Sequence, residues 1–249
     1  MAQKVNSLSR LFTRITLCAV VALGSLQVMA GPLATTNFAL NDGFGPDAGR
    51  WHGSVSISGG PIPFFGDVVA AEVDWAAFGP GKFQLYLNSQ SIAQFDPSAP
   101  GEVIYVYQIT SVTAASPAID TLTVGIDPGD GRGIISAPVN IPTGAATEIT
   151  PFGGGDNNTS MAWFFNNSEL PPLGVGNTSS LLVFTSPFAP EFDFLQVNAG
   201  LAGPSPSPLV ASPSDRIFQN DIPEPSSILL GLAGVQIMLV IRSRKSSRS

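Results

Sequence analysis

The chain has 249 residues and a mass of 25.8 kDa, with 12% charged residues, 26 Gly, 22 Pro, one Cys, one His and a formal net charge of −7. Too few Lys and Arg are present for a phosphate-neutralising nucleic-acid binder, and 44% apolar residues exclude charge-driven disorder. A single Cys and a single His exclude a disulfide framework and most zinc sites, so no metal or other cofactor is expected.

The charges are segregated. Lys4, Arg10 and Arg14 open the chain, and Arg242, Arg244, Lys245 and Arg248 close it. Between Gly31 and Asn220 there are 16 acids and four bases, a net charge of −12. Such a surface repels nucleic acid and anionic lipid and favours solubility.

Residues 1–30 have the three parts of a secretory signal. A basic n-region is followed by the apolar run Leu17–Leu26, and Val28-Met29-Ala30 places small or aliphatic residues before a cleavage point between Ala30 and Gly31. The apolar run forms a signal helix too short to span a bilayer comfortably. Cys18 follows Leu17 inside that run, which is not the position of an acylated lipoprotein cysteine. Cleavage after Ala30 leaves a mature chain without cysteine and without thiol chemistry.

Residues 31–202 read as an all-β ectodomain. Arg50–Ser58 is the first candidate strand. Val69–Trp75 alternates, with Glu72 and Asp74 pointing away from the apolar face, and Lys82–Asn88 alternates almost perfectly. Glu102–Thr110 reads as a strand buried on both faces. Thr121–Ile126 alternates again, and Met161–Phe165 and Ser180–Thr185 read as doubly buried. Glu191–Val197 completes a set of about eight to ten strands. Gly59-Gly60-Pro61, Gly79-Pro80-Gly81, Asp127–Gly131 and Gly153-Gly154-Gly155-Asp156 supply turn chemistry between them. Short strands with Gly/Pro turns predict an antiparallel β-sandwich or jelly-roll-like body.

Catalytic patterns are scarce. A Ser-His-Asp triad would have to use His52, and no Gly-x-Ser-x-Gly elbow accompanies it. Glu72 and Asp74 share a strand face about 7 Å apart, a spacing too common to mark a glycosidase. Glu102, Glu148 and Glu169 have no diagnostic context. Asp127 and Asp130 have the oxygen ligands calcium prefers but not an EF-hand spacing, and a plain turn is the simpler reading. Asn157, Asn158, Asn166 and Asn177 begin Asn-x-Ser/Thr triplets and mark exposed loops. For stacking on a sugar, Tyr86 on the polar side of its strand and Trp51 are the candidate contacts; Trp75 belongs to the core, and Tyr105 and Tyr107 fit either role.

Residues 203–222 read as a stiff Pro/Ser-rich spacer. From Pro223 the chain has three parts: Pro223-Glu224-Pro225, an apolar helix over about 226–241 interrupted only by Gln236, and the basic tail 242–249. The prolines favour extended backbone at their predecessors. The apolar run is just long enough to cross a membrane when Arg242 snorkels. Arg242, Arg244, Lys245 and Arg248 act as a stop-transfer signal that stays cytoplasmic, so the body faces outward.

This C-terminal tripartite resembles the PEP-CTERM sorting signal of bacterial exported proteins. Pro223, Glu224, Pro225, the following helix and the terminal Arg/Lys group carry the resemblance. It implies that an exosortase-type membrane protease cuts near Pro223–Pro225 after transient residence in the inner membrane. It also implies release or attachment at the cell surface or in an exopolysaccharide-rich matrix. Trp163-Phe164-Phe165, Leu173–Gly176 and Thr178–Pro187 resemble a strand–turn–strand segment of β-sandwich ectodomains in such proteins. The implied function is that of an exported non-catalytic surface or matrix protein. Two alternatives stay open: a carbohydrate-binding module docking to exopolysaccharide, and a secreted hydrolase working with an acid pair.

Overall fold

The structure, a computed structural model, describes residues 33–126, 136–156, 159–168, 170–204 and 207–217. The signal peptide, Ala30 and Gly31, the sorting motif, its helix and the basic tail lie outside these residues. A 3₁₀ turn at Leu33–Thr35 leads into β1 (Asn41–Gly45), β2 (Gly49–Arg50), β3 (His52–Gly59) and β4 (Val68–Phe78). Helix α1 (Lys82–Ser89) precedes β5 (Val103–Ser116), β6 (Thr121–Gly125), β7 (Val139–Ile141) and β8 (Glu148–Ile149). Then come β9 (Gly153–Asp156), β10 (Ser160–Phe164), β11 (Thr178–Ser179), β12 (Leu181–Ser186), β13 (Phe188–Asn198) and β14 (Leu209–Ile217). The protein is mostly β, and both large sheets are antiparallel.

Sheet one has the order β3-β4-β5-β12-β7 and sheet two the order β14-β13-β6-β10-β9. Alternation in the central strands of sheet one sends apolar side chains to both faces. Val73, Trp75, Ala77, Tyr105, Tyr107, Leu182 and Phe184 join a core with Leu122, Met161, Trp163, Leu195, Val197 and Val210 of sheet two. On the other face Ala76, Phe78, Ile104, Val106, Leu181 and Val183 pack against Leu33 and against Phe83, Tyr86 and Leu87 of α1. Thus Val103–Tyr107 is buried throughout, as the unbroken apolar run predicts.

Two tyrosines tie the sheets together. Tyr105 donates its hydroxyl to the Phe188 carbonyl at 2.8 Å, and Tyr107 donates to the Ala211 carbonyl. Ser212 Oγ, also buried, donates to the Gly125 carbonyl at 2.7 Å and joins β14 to β6. Buried tyrosine pays its way here by bringing area and a satisfied polar end together.

Three expectations need correction. Lys82–Asn88 is a helix, because Phe83, Tyr86 and Leu87 recur at helical spacing and bury together. Leu85, which strand alternation would bury beside Phe83 and Leu87, is 45% exposed. The Pro/Ser-rich stretch is not all spacer: residues 209–217 form the edge strand β14, paired with β13 from Phe188↔Ile217 to Phe194↔Leu209. An edge strand has one free hydrogen-bonding side, so Pro213 fits there. Gly153–Asp156 is strand β9 rather than a turn, paired with β10.

The acids hold loops. Asp67 Oδ2 accepts from the Leu201 amide at 2.8 Å and Asp120 Oδ2 from the Gly200 amide at 2.6 Å, which fixes the β13–β14 turn. Glu148 Oε2 accepts from the Thr143 and Gly144 amides at 2.8 and 3.0 Å. Glu102 Oε2 accepts from the Ala99 amide at 2.8 Å. With few cations in the body, main-chain N–H groups take the place of salt-bridge partners for these carboxylates.

Candidate functional site

Neither aromatic expected to touch a sugar is accessible. Tyr86 is 1% exposed, wedged between Phe78 and Phe83 with ring centroids at 5.3 and 6.1 Å. Its place on a polar strand face disappears once the segment is helical. Trp51 is 3% exposed, packs on Phe192 at 4.9 Å, and donates Nε1–H to Asp42 Oδ1 at 2.6 Å.

The acid pair divides between two environments. Glu72 is exposed and accepts from Ser54 Oγ at 2.8 Å. Asp74 is buried beneath the N-terminal segment. Burial pushes its carboxyl up; a Ser54 hydrogen bond opposes this, the Glu72 charge adds to it, and the Ala34 amide opposes it again. Burial, and then the charge of Asp74, push the Tyr86 hydroxyl up as well. Asp74 is therefore a buried structural group, not one arm of an open pair around a substrate.

His52 is buried too. Its Nδ1 lies 2.5 Å from the Ala34 carbonyl, so Nδ1–H donates there, and Nε2 stands 3.9 Å from Asp47. Ring and main chain together anchor the N-terminal segment on β3. Asp127, Asp130, Asn157, Asn158 and Glu169 lie outside the described residues, as do Pro223, Glu224, Pro225, Arg242, Arg244, Lys245 and Arg248. Asn166 is exposed and Asn177 half-buried.

A different surface emerges on the outer face of sheet two. Pairing sets two cross-strand rows on that face: Gly153–Phe164–Thr121–Asn198 and Gly155–Ala162–Thr123–Gln196. Phe164 is 36% exposed and lies 6.1 Å from the ring of Phe152, itself 50% exposed. Phe164 thus departs from the doubly buried reading of Met161–Phe165, since Met161, Trp163 and Phe165 join the core while Phe164 faces the other way. At the far end Gln196 Nε2 donates to Asn198 Oδ1 at 3.0 Å, and Asn198 Nδ2 donates to Thr121 Oγ1 at 3.2 Å. Among the described residues, a Cβ built at Gly153 or Gly155 would meet nothing within 4 Å. The signal in the sequence was the outward alternation Ala162–Phe164 beside three glycines, which strand pairing alone makes visible.

No protein-family model, no curated protein and no solved structure matches this chain.

Proposed function

We propose that this is an exported, non-catalytic surface or matrix protein with a β-sandwich, jelly-roll-like body, delivered through a PEP-CTERM-type sorting signal. The observation that carries this reading is the pair of segments flanking the body. A signal-peptide pattern at 1–30 and the Pro-Glu-Pro, apolar helix and basic tail of 223–249 both direct the body outward. The body supports it in kind. Its two sheets are joined by a large apolar core and by tyrosine bonds, and the part after residue 30 contains no cysteine that export would have to oxidise. Strand β14 runs to Ile217, and residues 218–222 separate it in sequence from Pro223. An exosortase-type membrane protease is the proposed processing partner, and cell surface or extracellular matrix the destination.

An epitope appended after Ser249 tests the delivery. The expected result is separation of the epitope from the body once the body has crossed the membrane. An epitope that stays joined to a body retained inside the cell would contradict the reading.

A further inference from the structure

A strand at the edge of a sheet leaves main-chain donors and acceptors unpaired, and proteins guard such edges with charge, proline, bulges or brevity. The two large sheets end in β3 and β7, and in β14 and β9. Three of these edges are guarded. β7 has three residues and β9 has four. β14 contains Pro213, Asp215 and Arg216. β3 has none of these guards. It runs for eight residues, and from Gly53 to Gly59 it contains no charge and no proline. Its pairing with β4 is regular from end to end. Among the described residues no strand pairs with its other side.

The sequence of β3 names the strand that fits there. Gly53-Ser54-Val55-Ser56-Ile57-Ser58-Gly59 reads almost alike in both directions. Set two copies antiparallel, related by a two-fold axis at Ser56. Ser56 then faces Ser56, Ser54 faces Ser58, Val55 faces Ile57, and Gly53 faces Gly59. Each residue meets its own kind on the same side of the sheet. Ser54, Ser56 and Ser58 are exposed, while Ile57 lies in the inter-sheet core and Val55 packs against it. A slip of one residue would set serine against aliphatic and turn one copy's core side outward. A two-fold contact needs a surface that is its own complement, and this strand is one.

The charge of the body opposes self-association, but not at this edge. Ser56 pairs with Glu72 on β4. Across the two-fold axis the two Glu72 residues stand three strand spacings apart, about 14 Å. That exceeds the screening length of about 8 Å at physiological salt. Among the described residues Phe64 and Phe65 are exposed on the β3–β4 loop, and Phe44 on the β1–β2 hairpin. Antiparallel pairing brings the loop of one copy toward the end of β3 from which the hairpin of the other departs. These rings add apolar area to a contact that two strands alone would leave small.

We infer that two copies of this chain pair through β3, antiparallel about Ser56, and join their first sheets into one continuous sheet. This goes beyond the delivery reading and does not rest on it.

The test uses the full chain in a polyoxyethylene detergent at physiological salt, followed by sedimentation over a range of concentrations. The expected result is a reversible monomer–dimer equilibrium. Ser56→Lys sets like charges opposite each other and is expected to weaken it at least tenfold. Its melting, measured where the parent is monomeric, is expected to be unchanged, because position 56 is exposed and pairs with Glu72. Mixing Ser56→Lys with Ser56→Glu is expected to restore the dimer. In a Cys18→Ser background, Ser56→Cys is expected to bridge two copies through a short bismaleimide, in purified protein and in producing cells. Ser54→Cys is expected not to, since the two positions 54 stand about 14 Å apart along the strands. Adding Ser58→Cys to Ser54→Cys is expected to restore bridging. A chain that stays monomeric would overturn the inference. So would a dimer indifferent to Ser56→Lys, equal bridging from positions 54 and 56, or bridging of Ser56→Cys only to a different protein.

Discussion

Tyr105 and Tyr107 each carry a hydroxyl across the core to a main-chain carbonyl of the opposite sheet. Both hydroxyls are pushed well above their ordinary pKa, first by burial. They are protonated donors at neutral pH. Tyr105→Phe and Tyr107→Phe each leave a buried carbonyl without its partner and are expected to cost about 1–3 kcal/mol, measured by urea unfolding. Asp74 gives a prediction of the opposite sign. Its folded carboxyl titrates above the ordinary 3.8, mainly through desolvation, so ionisation opposes folding. Wild-type stability from this group is greatest below 3.8 and is lost as pH rises through the raised folded value. Asp74→Asn is expected to be relatively more stable at pH 7 than at pH 3, and a pH series of unfolding midpoints checks this. Alternation placed Trp75 in the core correctly. It could not foresee that Asp74, on the opposite face, would be buried too, because the N-terminal segment that covers it comes from far away in the chain.

Helix α1 and strand β14 are the elements that local pattern misassigned. Lys82–Asn88 satisfies a period of two and a period of 3.6 at once, since Phe83 and Leu87 fit either. Tyr86 and Leu85 decide between them. Phe83→Ala is expected to cost about 3–5 kcal/mol, whereas Leu85→Ala stays within about 0.5 kcal/mol. In a strand both would be costly. For β14, prolines at 204, 206, 208 and 213 imitate a linker, yet Val210, Ala211, Ser212 and Ser214 are buried. Pro190 and Pro213 face each other where β13 pairs only with β14, so neither needs a second ladder partner. A chain ended at Gly203 is expected to lose cooperative thermal unfolding. Unchanged unfolding of that shortened chain would restore the spacer reading. Loop composition likewise hid β9, because glycines are turn residues first and are found in strands less often.

At the scale of the whole molecule, the all-β antiparallel class was legible in the sequence. Several strands alternate, and Glu102–Thr110 is recognisably double-faced. The layer of α1 and the N-terminal segment on sheet one, and the strand order of both sheets, were not legible, because long-range pairing leaves no local mark. The outer face of sheet two was hidden for the same reason: its residues come from β6, β9, β10 and β13 and meet only through register. Tyr86 and Trp51 looked more suitable because aromatic type can be read locally and burial cannot. Delivery outward depends on the two ends of the chain. The intact mass of the exported protein, taken from cells with and without the sorting protease, tests it most directly. The account predicts a mature chain beginning at Gly31 and ending near Pro223–Pro225 only where the protease is present. A mass that retains Ile228–Ser249 in both strains would contradict it and make the apolar helix a permanent anchor.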